Sequence, residues 1–264
     1  MIVFGTDFDD TLYFHSGKEL GVRQKDIDAI ERFKKAGNQF GLISGRARCM
    51  MPEIDELLNG KVKFDFMIFS NGACICDQDG KILWEHFLPE AVVRDVFEQA
   101  AKGKIGIVLH GTECLYQTED MDFKNAIHVT SIDEFDPSRI YSISFHPISE
   151  VEKDFFRTNQ NRKDVVVVAN SQFADFNANG ITNGITKGTA LNRLTHMMGQ
   201  TEDISAAIGD SFNDESMLKD ADISFTFENS DSSVKNCATC IVDGIHEAVD
   251  VLLDPSQLAA NRRR

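Results

Sequence analysis

Short apolar segments that end in polar or acidic residues recur along the chain, and amphipathic helical segments separate them. The first apolar run covers residues 2–5 and leads to Asp7 and Asp9, and a late run covers residues 204–208 and leads to Asp210. Uninterrupted apolar runs of this length are typical of strands buried on both faces, and their alternation with helices indicates a parallel sheet. Ligands of open α/β sheets bind outside the carboxyl ends of the strands. The pattern therefore predicts that acids from both ends of the sequence share one crevice.

Five acids fall at these two strand ends, namely Asp7, Asp9, Asp10, Asp210 and Asp214. Carboxylates that lie so close together raise one another's pKa or need a cation between them. An oxygen-rich cluster suits Mg²⁺, which takes one or two carboxylates together with a substrate phosphate. The first hypothesis is an Mg²⁺-dependent phosphoryl-transfer enzyme with an aspartate nucleophile.

The order of the segments predicts an α/β, doubly wound parallel sheet with a second α/β domain inserted into it. We expect the first domain to comprise residues 1–76 and 186–264, and the insertion to comprise residues 77–185. The first domain has predicted strands at 2–5, 40–43, 66–69, 204–208, 223–227 and 240–242, and predicted helices at 24–36, 187–198 and 245–253. The insertion has predicted strands at 104–110, 140–145 and 164–168, and predicted helices at 89–101 and 149–158. Asp79-Gly80 indicates a tight turn between two extended runs.

The charge and composition exclude several classes of protein. A formal net charge of −15 argues against a nucleic-acid binder, since a phosphate backbone demands a basic stripe, and the only dense one is the terminal run 262–264. No apolar stretch reaches the roughly 18 residues of a membrane span, and the N-terminus does not resemble a signal sequence. Six cysteines in 264 residues do not form a disulfide framework, and we expect a reducing cytoplasm. Cys237 and Cys240 have redox or metal spacing, but buried structural thiols are the preferred interpretation.

Asp7 and Asp9 are two residues apart at a strand end, so extended backbone would direct both side chains to one face. Two carboxylates that flank a reacting centre can act as nucleophile and general acid/base. The alternative is a pair of exposed loop acids, one of which caps a helix.

Ser44, Gly45 and Arg46 follow another buried-type strand. A hydroxyl and the backbone N–H after it can hold a phosphate oxygen. The alternative is that Ser44 caps a helix, which is compatible with the first interpretation.

Lys187 opens a helix directly after the insertion, where a positive charge opposes the helix dipole, so an anionic partner is expected. The alternative is a solvated surface lysine. Asp210, Asn213 and Asp214 have the spacing of one side of a helical turn, and simple N-capping by Asp210 or Asn213 is the alternative there.

Taken together, these motifs resemble the haloacid dehalogenase superfamily over essentially the whole chain. Residues 7–11 resemble its first motif, Asp-x-Asp-x-Thr, and residues 209–214 its fourth. Ser44 resembles the second motif and Lys187 the third. Segments 44–46, 70–73, 187–191, 209–214 and 243–245 narrow the resemblance to the Cof-type, class IIB branch. That branch has a Rossmann-like core and carries an α/β cap between the second and third motifs, which is where the insertion lies.

The resemblance implies a phosphatase that acts through an aspartyl-phosphate. Asp7 would attack phosphorus, and Asp9 would protonate the leaving oxygen and then activate water. Mg²⁺ would be held by the Asp7 and Asp210 side chains and the Asp9 carbonyl, with Asp214 supporting the metal and orienting Lys187. The phosphoryl oxygens would be bound by Ser44, the Gly45 amide, Lys187 and Asn213, and Arg46 is a weaker candidate for substrate contact.

The sequence departs from the branch at Asp10, where many members have glycine, and in segment 225–230. We expect Asp10 to turn away from the metal. The expected substrate is a small phosphate ester, with a sugar phosphate as the preferred class. The expected oligomeric state is a monomer, with a homodimer as the alternative. The alternatives for function are a phosphomutase or phosphotransferase, or a hydrolase of nucleotide or cofactor phosphates such as FMN or pyridoxal phosphate. Polar cap residues considered for the leaving group are His110, Tyr116, His146, Asp175 and Asn177, each with ordinary cap surface or core as the preferred interpretation.

Overall fold

The computed structural model describes residues 1–16, 20–119, 121, 123, 125–170, 173–179, 184–198 and 204–261. The three terminal arginines noted above lie outside these ranges. The strands are β1 (Ile2–Thr6), β2 (Gln39–Ile43), β3 (Phe66–Phe69), β4 (Cys74–Asp77), β5 (Ile82–Glu85), β6 (Ile107–Gly111), β7 (Leu115–Gln117), β8 (Ile127–His128), β9 (Ile140–Phe145), β10 (Val165–Ala169), β11 (Ala174–Ala178), β12 (Ile204–Ile208), β13 (Ile223–Thr226) and β14 (Cys240–Ile241). The α-helices are α1 (Gln24–Lys35), α2 (Met51–Leu58), α3 (Glu90–Gly103), α4 (Glu150–Asn159), α5 (Lys187–Met197), α6 (Glu215–Asp220), α7 (Ser232–Lys235), α8 (Ile245–Leu253) and α9 (Pro255–Asn261).

The larger sheet has eight strands in the order β14-β13-β12-β1-β2-β3-β4-β5. The first six of these strands are parallel to one another, and the chain winds away from β1 on one side and from β12 on the other. The winding direction therefore reverses between β1 and β12, and an open α/β sheet has its ligand crevice at such a point. The predicted α/β, Rossmann-like, doubly wound core is confirmed.

Both faces of the parallel strands are covered. Along β1, Phe4 packs among α1 residues such as Ile30 and Phe33, whereas Val3 faces the opposite cluster that contains Leu191 and Leu194 of α5. Burial on both faces explains why these strands appear in the sequence as uninterrupted apolar runs.

The far edge of the larger sheet differs from a purely parallel arrangement. β4 runs antiparallel to β3, and β5 runs antiparallel to β4. The connections are too short for a parallel crossover, which needs a dozen or more residues: residues 70–73 link β3 to β4, and the predicted turn at Gly80 (φ +77°) links β4 to β5. The two sheets therefore divide after Glu85, whereas the predicted insertion begins at residue 77.

The second sheet, called the inserted sheet below, has six strands in the order β10-β11-β9-β6-β7-β8 and is mostly antiparallel. Alternate residues such as Leu109, Ile143 and Phe176 pack with the apolar faces of α3 and α4. The predicted strand 104–110 begins later, at Ile107, because Lys104 ends α3 in a left-handed conformation (φ +51°). The other face of the inserted sheet lies over the carboxyl ends of β1 and β12.

Candidate active site

The central relationship of the site is the adjacency of β1 and β12. Their parallel register pairs Thr6 with Ile208, so the residues that follow the two strands emerge side by side. Asp7 follows β1 directly, and Asp210 follows β12 after Gly209. The Thr11 hydroxyl donates a hydrogen bond of 2.7 Å to Asp210 and ties the two segments together. The predicted meeting of acids from both ends of the sequence is present.

Lys187 lies beneath these acids and is completely buried, with a relative exposure of 0%. Its Nζ donates to Asp7 Oδ1 at 2.5 Å and to Asp214 Oδ1 at 2.6 Å. The solvated-lysine alternative is therefore wrong. Thr186 caps α5 by accepting from the N–H of Thr189, which places the lysine at the first helical position. The two carboxylates compensate the unfavourable placement of a cation at that end of the helix.

Asp214 links the lysine to the loop after β12. Its Oδ1 binds Lys187, and its Oδ2 accepts hydrogen bonds of 3.0 Å from the backbone N–H groups of Asp210 and Ser211. Gly209 makes room for this carboxylate, because a Cβ there would lie 2.4 Å from the Asp214 Cγ. N-capping by Asp210 or Asn213 was the alternative interpretation of this segment, and the carboxylate that accepts these N–H groups is instead that of Asp214.

The electrostatics of the cluster call for another cation. Burial first, and then the charge of Asp214, raise the pKa of Asp7 well above its usual range, although Lys187 opposes the shift. Burial and Asp214 likewise raise the pKa of Asp210 to about 7. Burial lowers the pKa of Lys187, but Asp214 and Asp7 outweigh that effect, and its net shift is upward. Lys187 therefore stays charged, while Asp7 and Asp210 hold their negative charge at a cost.

A divalent ion fits this cluster. Asp7, Asp210 and Asp214 offer carboxylate oxygens that lie within 4.8 Å of one another. When all three carboxylates are ionised, Lys187 leaves a local charge of minus two, which a divalent cation balances. A set of carboxylate oxygens alone suits Mg²⁺, Mn²⁺ or Ca²⁺ rather than a metal that prefers sulfur or imidazole.

The carboxylate of Asp9 is bound by Arg46 rather than by Lys187. Arg46 Nε and Nη2 donate to its two carboxylate oxygens at 2.9 and 2.7 Å, and His15 Nε2 lies 2.6 Å from its Oδ1. Burial raises the pKa of Asp9, but the hydrogen bonds and charges of Arg46 and His15 outweigh it, and the net pKa is lowered. Arg46 also binds Glu53 at 3.1 Å.

Asp10 lies beside this group but is exposed, and its carboxylate accepts a hydrogen bond from the His15 N–H at 3.4 Å. Its φ of +58° is left-handed, a conformation that glycine adopts freely and aspartate tolerates. This explains how Asp can stand at a position where the resembling branch often has glycine.

Ser44, Gly45 and Asn213 surround the space above Asp7. The Ser44 Oγ accepts from the Arg46 N–H at 3.1 Å, so its own proton remains available for donation. Gly45 and Asn213 line the cavity, whereas Ser44 is buried behind them. Glycine at position 45 avoids a tight contact, because a Cβ there would lie 3.2 Å from the Asn71 Oδ1.

Ser70 and Asn71 are the residues whose importance the sequence reasoning missed. Both have left-handed backbones, with φ of +50° and +52°, and both are buried. Asn71 receives a 3.4 Å contact from Asn213 and donates to Asp175 Oδ2 at 2.6 Å. Segment 70–73 contributes to the resemblance, but the resemblance gives it no role. Strain of this kind at buried polar residues is typical of functional sites.

A cavity of about 840 Å³ joins the acid cluster to the inserted sheet. Asp7, Asp9, Asp210 and Asn213 line one part of it, and His110, Ser144, Phe173 and Asp175 line another. Of the five polar residues considered for the leaving group, His110 and Asp175 reach the cavity. Tyr116 stacks on Phe135, and Asn177 is held by Ser142 and by the Ser70 carbonyl. His146 packs against Phe173 in a tilted arrangement, with ring centroids 3.8 Å apart.

The fold and the site together define a haloacid dehalogenase-like hydrolase. The model of that family matches residues 4–249, and the chain belongs to it.

Two relatives of similar length are distant from this chain in sequence. A protein of Buchnera aphidicola subsp. Schizaphis graminum, provisionally named as a phosphatase, is 24% identical, and the match covers 98% of this chain and 97% of that protein. An uncharacterized protein of Mycoplasma capricolum is 26% identical over 92% of this chain and 97% of its own length.

Solved structures share the fold over nearly the whole chain. A haloacid dehalogenase-like hydrolase from B. subtilis superposes with a TM-score of 0.81 at 18% identity, covering 96% of this chain and 100% of that one. A subclass IIB sugar phosphatase of the superfamily superposes with a TM-score of 0.76 at 20% identity, covering 95% and 98%.

The remaining sequence features lie outside this site. The six cysteines are free thiols, with Cys74 and Cys76 in contact at 3.7 Å in the core and Cys237 buried. Within the part of the chain that the structure describes, none of the helices combines the length and the apolar character that crossing a bilayer demands.

Proposed function

We propose that the protein is an Mg²⁺-dependent phosphomonoester hydrolase that works through an aspartyl-phosphate on Asp7. The observation that carries this proposal is the buried Lys187, which bridges Asp7 and Asp214 while Asp210 lies in the same cluster. A lysine fixed between two carboxylates beside a third supplies positive charge where a phosphoryl group would bring negative charge, which is the main task in phosphoryl transfer.

Asp7 would be the nucleophile. Its carboxylate oxygen attacks phosphorus, the bond from phosphorus to the ester oxygen breaks, and an acyl phosphate forms. The leaving oxygen takes a proton from Asp9, which the resemblance identifies as the general acid. Water then attacks the phosphorus of the acyl phosphate, gives its proton to Asp9, and releases phosphate and the Asp7 carboxylate. Asp9 ends the cycle protonated, as it began.

The surroundings of Asp7 would hold the phosphoryl oxygens during both steps. The donors are the Ser44 hydroxyl, the Gly45 N–H, Lys187 and the Asn213 amide. Asp7, Asp210 and the Asp9 carbonyl would hold Mg²⁺, and Asp214 would support it from the second layer, since both of its oxygens already accept hydrogen bonds. The ion, when bound, supplies fixed positive charge that neutralises the transferring group.

We further propose that the insertion acts as the cap of this centre. The inserted sheet meets the core through Asn71 and Asp175, through Ser70 and His110, and through Arg48, whose Nη1 lies 3.4 Å from the Thr112 carbonyl. A cap in this place excludes water from the acyl phosphate and contacts the leaving group. The similarity to a subclass IIB sugar phosphatase supports small phosphorylated metabolites, sugar phosphates among them, as the substrate class. The free thiols support a reducing cytoplasm.

Hydrolysis of para-nitrophenyl phosphate tests the proposal. The purified protein should release nitrophenol with Mg²⁺ and lose this activity in EDTA. Asp7→Asn should abolish turnover, whereas Asp55→Asn, which removes the same charge from an exposed position of α2, should not. Full activity in Asp7→Asn would show that the nucleophile is misassigned. Free phosphate as the product from a sugar phosphate identifies a hydrolase, whereas an isomeric ester identifies a phosphomutase.

A further inference from the structure

The face of the inserted sheet that looks toward the acid cluster is polar although it is buried. His110, Ser142, Ser144, Asp175 and Asn177 project from neighbouring strands onto this face, and each is less than one-tenth exposed. Buried polar groups are expensive unless they are hydrogen-bonded or serve a ligand. Asn177 and Ser142 satisfy one another at 2.6 Å. The other three residues line the cavity.

Asp175 is the residue of this face that carries charge. It is 6% exposed, and its Oδ2 accepts from the Asn71 amide at 2.6 Å. Burial raises its pKa to about 6, against the opposing effects of Ser144, Asn71 and Lys187. Among the residues that the structure describes, none forms an ion pair with Asp175, and Lys187 is already committed to Asp7 and Asp214. A buried carboxylate without a cation is strongly disfavoured.

The neighbours of Asp175 do not supply that cation. His110 Nε2 lies 2.9 Å from the Ser144 hydroxyl, and its Nδ1 lies 3.1 Å from the Ser70 hydroxyl. Burial lowers the pKa of His110 to about 4, so the imidazole is neutral near pH 7. An ionised Asp175 accepts from Ser144, so the hydrogen bonds run from Ser70 to His110 to Ser144 to the carboxylate. All of these donors are neutral.

The same cavity is lined by further aromatic and acidic side chains, together with Asn125, Asn170 and apolar residues. Phe123 and Phe173 line it with ring centroids 5.8 Å apart, and Glu53 and Glu56 line it as well. Arg46 also lines the cavity, but its guanidinium is held by Asp9 and Glu53. Carboxylates together with aromatic faces attract an ammonium group and repel an anion.

We propose that the leaving group of the substrate carries an ammonium, which binds Asp175 between Asn71 and the aromatic side chains. The substrate class is then the phosphate monoester of an amino alcohol or amino sugar. This inference rests on the proposed function, because it concerns the alcohol that the hydrolase releases. Asn71 donates to Asp175 and accepts from Asn213, so one side chain connects ammonium recognition to the phosphoryl site.

Phosphate esters of similar size test which leaving-group charge the intact protein prefers. 2-Aminoethyl phosphate, 2-hydroxyethyl phosphate and phosphoglycolate are similar in size and carry a positive, neutral and negative leaving group. Glucosamine 6-phosphate and glucose 6-phosphate form a larger pair. We expect kcat/KM for the amine to exceed that of its hydroxyl partner by about tenfold or more in at least one pair, as for a hydrogen bond to a charged group. Phosphoglycolate should be the poorest substrate.

Asp175→Asn keeps the shape of the side chain and removes its charge, so the ratio of amine to hydroxyl kcat/KM should fall to about one. Asp154→Asn removes the same charge from a side chain that is 73% exposed on α4, and the ratio should not change. Equal kcat/KM for amine and hydroxyl in the wild-type protein overturns the inference, even if Asp175→Asn does not fold. A ratio that survives in folded Asp175→Asn also overturns it. Failure of the proposed function is distinct, since para-nitrophenyl phosphate would then not be hydrolysed either.

Discussion

Arg46 binds the carboxylate of Asp9 through two hydrogen bonds from one edge of its planar guanidinium, of 2.7 Å from Nη2 and 2.9 Å from Nε. This bidentate geometry favours the ionised carboxylate. A general acid must carry a proton when the leaving group departs, so the pair opposes the role proposed for Asp9. Binding of substrate or a change at Arg46 must therefore release the carboxylate before an alkoxide can be protonated.

Replacing Arg46 should move the pH dependence of turnover. Arg46→Gln removes the charge that holds the pKa of Asp9 down, so Asp9 should keep its proton to a higher pH. The basic limb of the kcat/KM profile for an alkyl phosphate should shift upward by about one pH unit. The shift should be smaller for para-nitrophenyl phosphate, whose leaving group needs no proton. Arg157→Gln, at an exposed position of α4, serves as the control, and an unmoved limb would contradict the role of Asp9.

Removing the buried cation should destabilise the fold. Lys187→Met leaves Asp7 and Asp214 facing one another without compensation, and the free energy of unfolding should fall by about 3–5 kcal/mol at neutral pH. The loss should be smaller at pH 5, where Asp7 can take up a proton. Urea unfolding followed by the fluorescence of the single tryptophan, Trp84, measures it. Lys219→Met breaks an exposed pair with Glu215 and should cost less than about 1 kcal/mol. Equal losses of unfolding free energy in the two variants would show that Lys187 does not compensate the charges of Asp7 and Asp214.

Metal binding should depend on pH through Asp210. The raised pKa of about 7 means that the folded, metal-free protein binds more protons than the unfolded chain between the two pKa values. The contribution of Asp210 to the free energy of unfolding is therefore fully present below the pKa that it has in the unfolded chain. This contribution is lost as the pH rises toward 7. Mg²⁺ competes with the proton, so the rise in melting temperature that Mg²⁺ causes should grow between pH 5.5 and 8.

Asp210→Asn tests the source of that pH dependence. In EDTA, its melting temperature should fall less with rising pH than that of the wild type, because the variant has no proton to lose at this position. Its response to Mg²⁺ should be weak at every pH. A wild-type response to Mg²⁺ that is the same at pH 5.5 and 8 would argue against proton competition at Asp210.

Gly60 and Gly72 both have left-handed backbones, but only at Gly72 would a Cβ also clash with a neighbouring atom. Alanine substitution at each position therefore distinguishes backbone strain from a steric clash. Around Gly60 (φ +71°) the space that a Cβ would occupy is open to a distance of 4 Å, so Gly60→Ala should cost about 1 kcal/mol. Gly72 (φ +113°) would place its Cβ 2.4 Å from the carbonyl oxygen of Thr186, the residue before Lys187. Gly72→Ala should therefore cost more than about 3 kcal/mol and also lower turnover. Equal melting temperatures for the two variants would mean that segment 70–72 can move away from α5.

The parallel part of the fold could be predicted because its strands are buried on both faces and leave a simple apolar signal. The same signal placed Asp7, Asp210 and Lys187, since each lies within two residues of the end of a strand or begins a helix. The turn at Asp79-Gly80 between β4 and β5 was predicted, but the predicted insertion began at residue 77, and the pairing of both strands with the larger sheet was not predicted. Ile82–Glu85 is only four residues long and lacks a fully buried position, although three of its residues are apolar.

The partners of the site residues could not be predicted in the same way. The Arg46–Asp9 pair and the Asn71–Asp175 contact join residues that are distant in sequence, and their hydrogen bonds depend on side-chain positions that no local pattern encodes. The left-handed backbone of Ser70 and Asn71 was equally hidden, because neither is a glycine. Asp175 alternates with apolar residues on β11, as an ordinary outward-facing polar residue would.

The position of β1 between β2 and β12 has a consequence for translation. Asp7, Asp9 and Ser44 leave the ribosome early, but Lys187, Asp210 and Asp214 follow only after the whole insertion has been made. Until then one edge of β1 lacks its neighbour, and the first carboxylates lack both the lysine and the second half of the acid cluster. The slow step of folding should therefore be the late docking of β12 beside β1, since contacts so distant in sequence form slowly. Partly synthesised chains thus carry no assembled centre and remain inert toward phosphate esters in the cell.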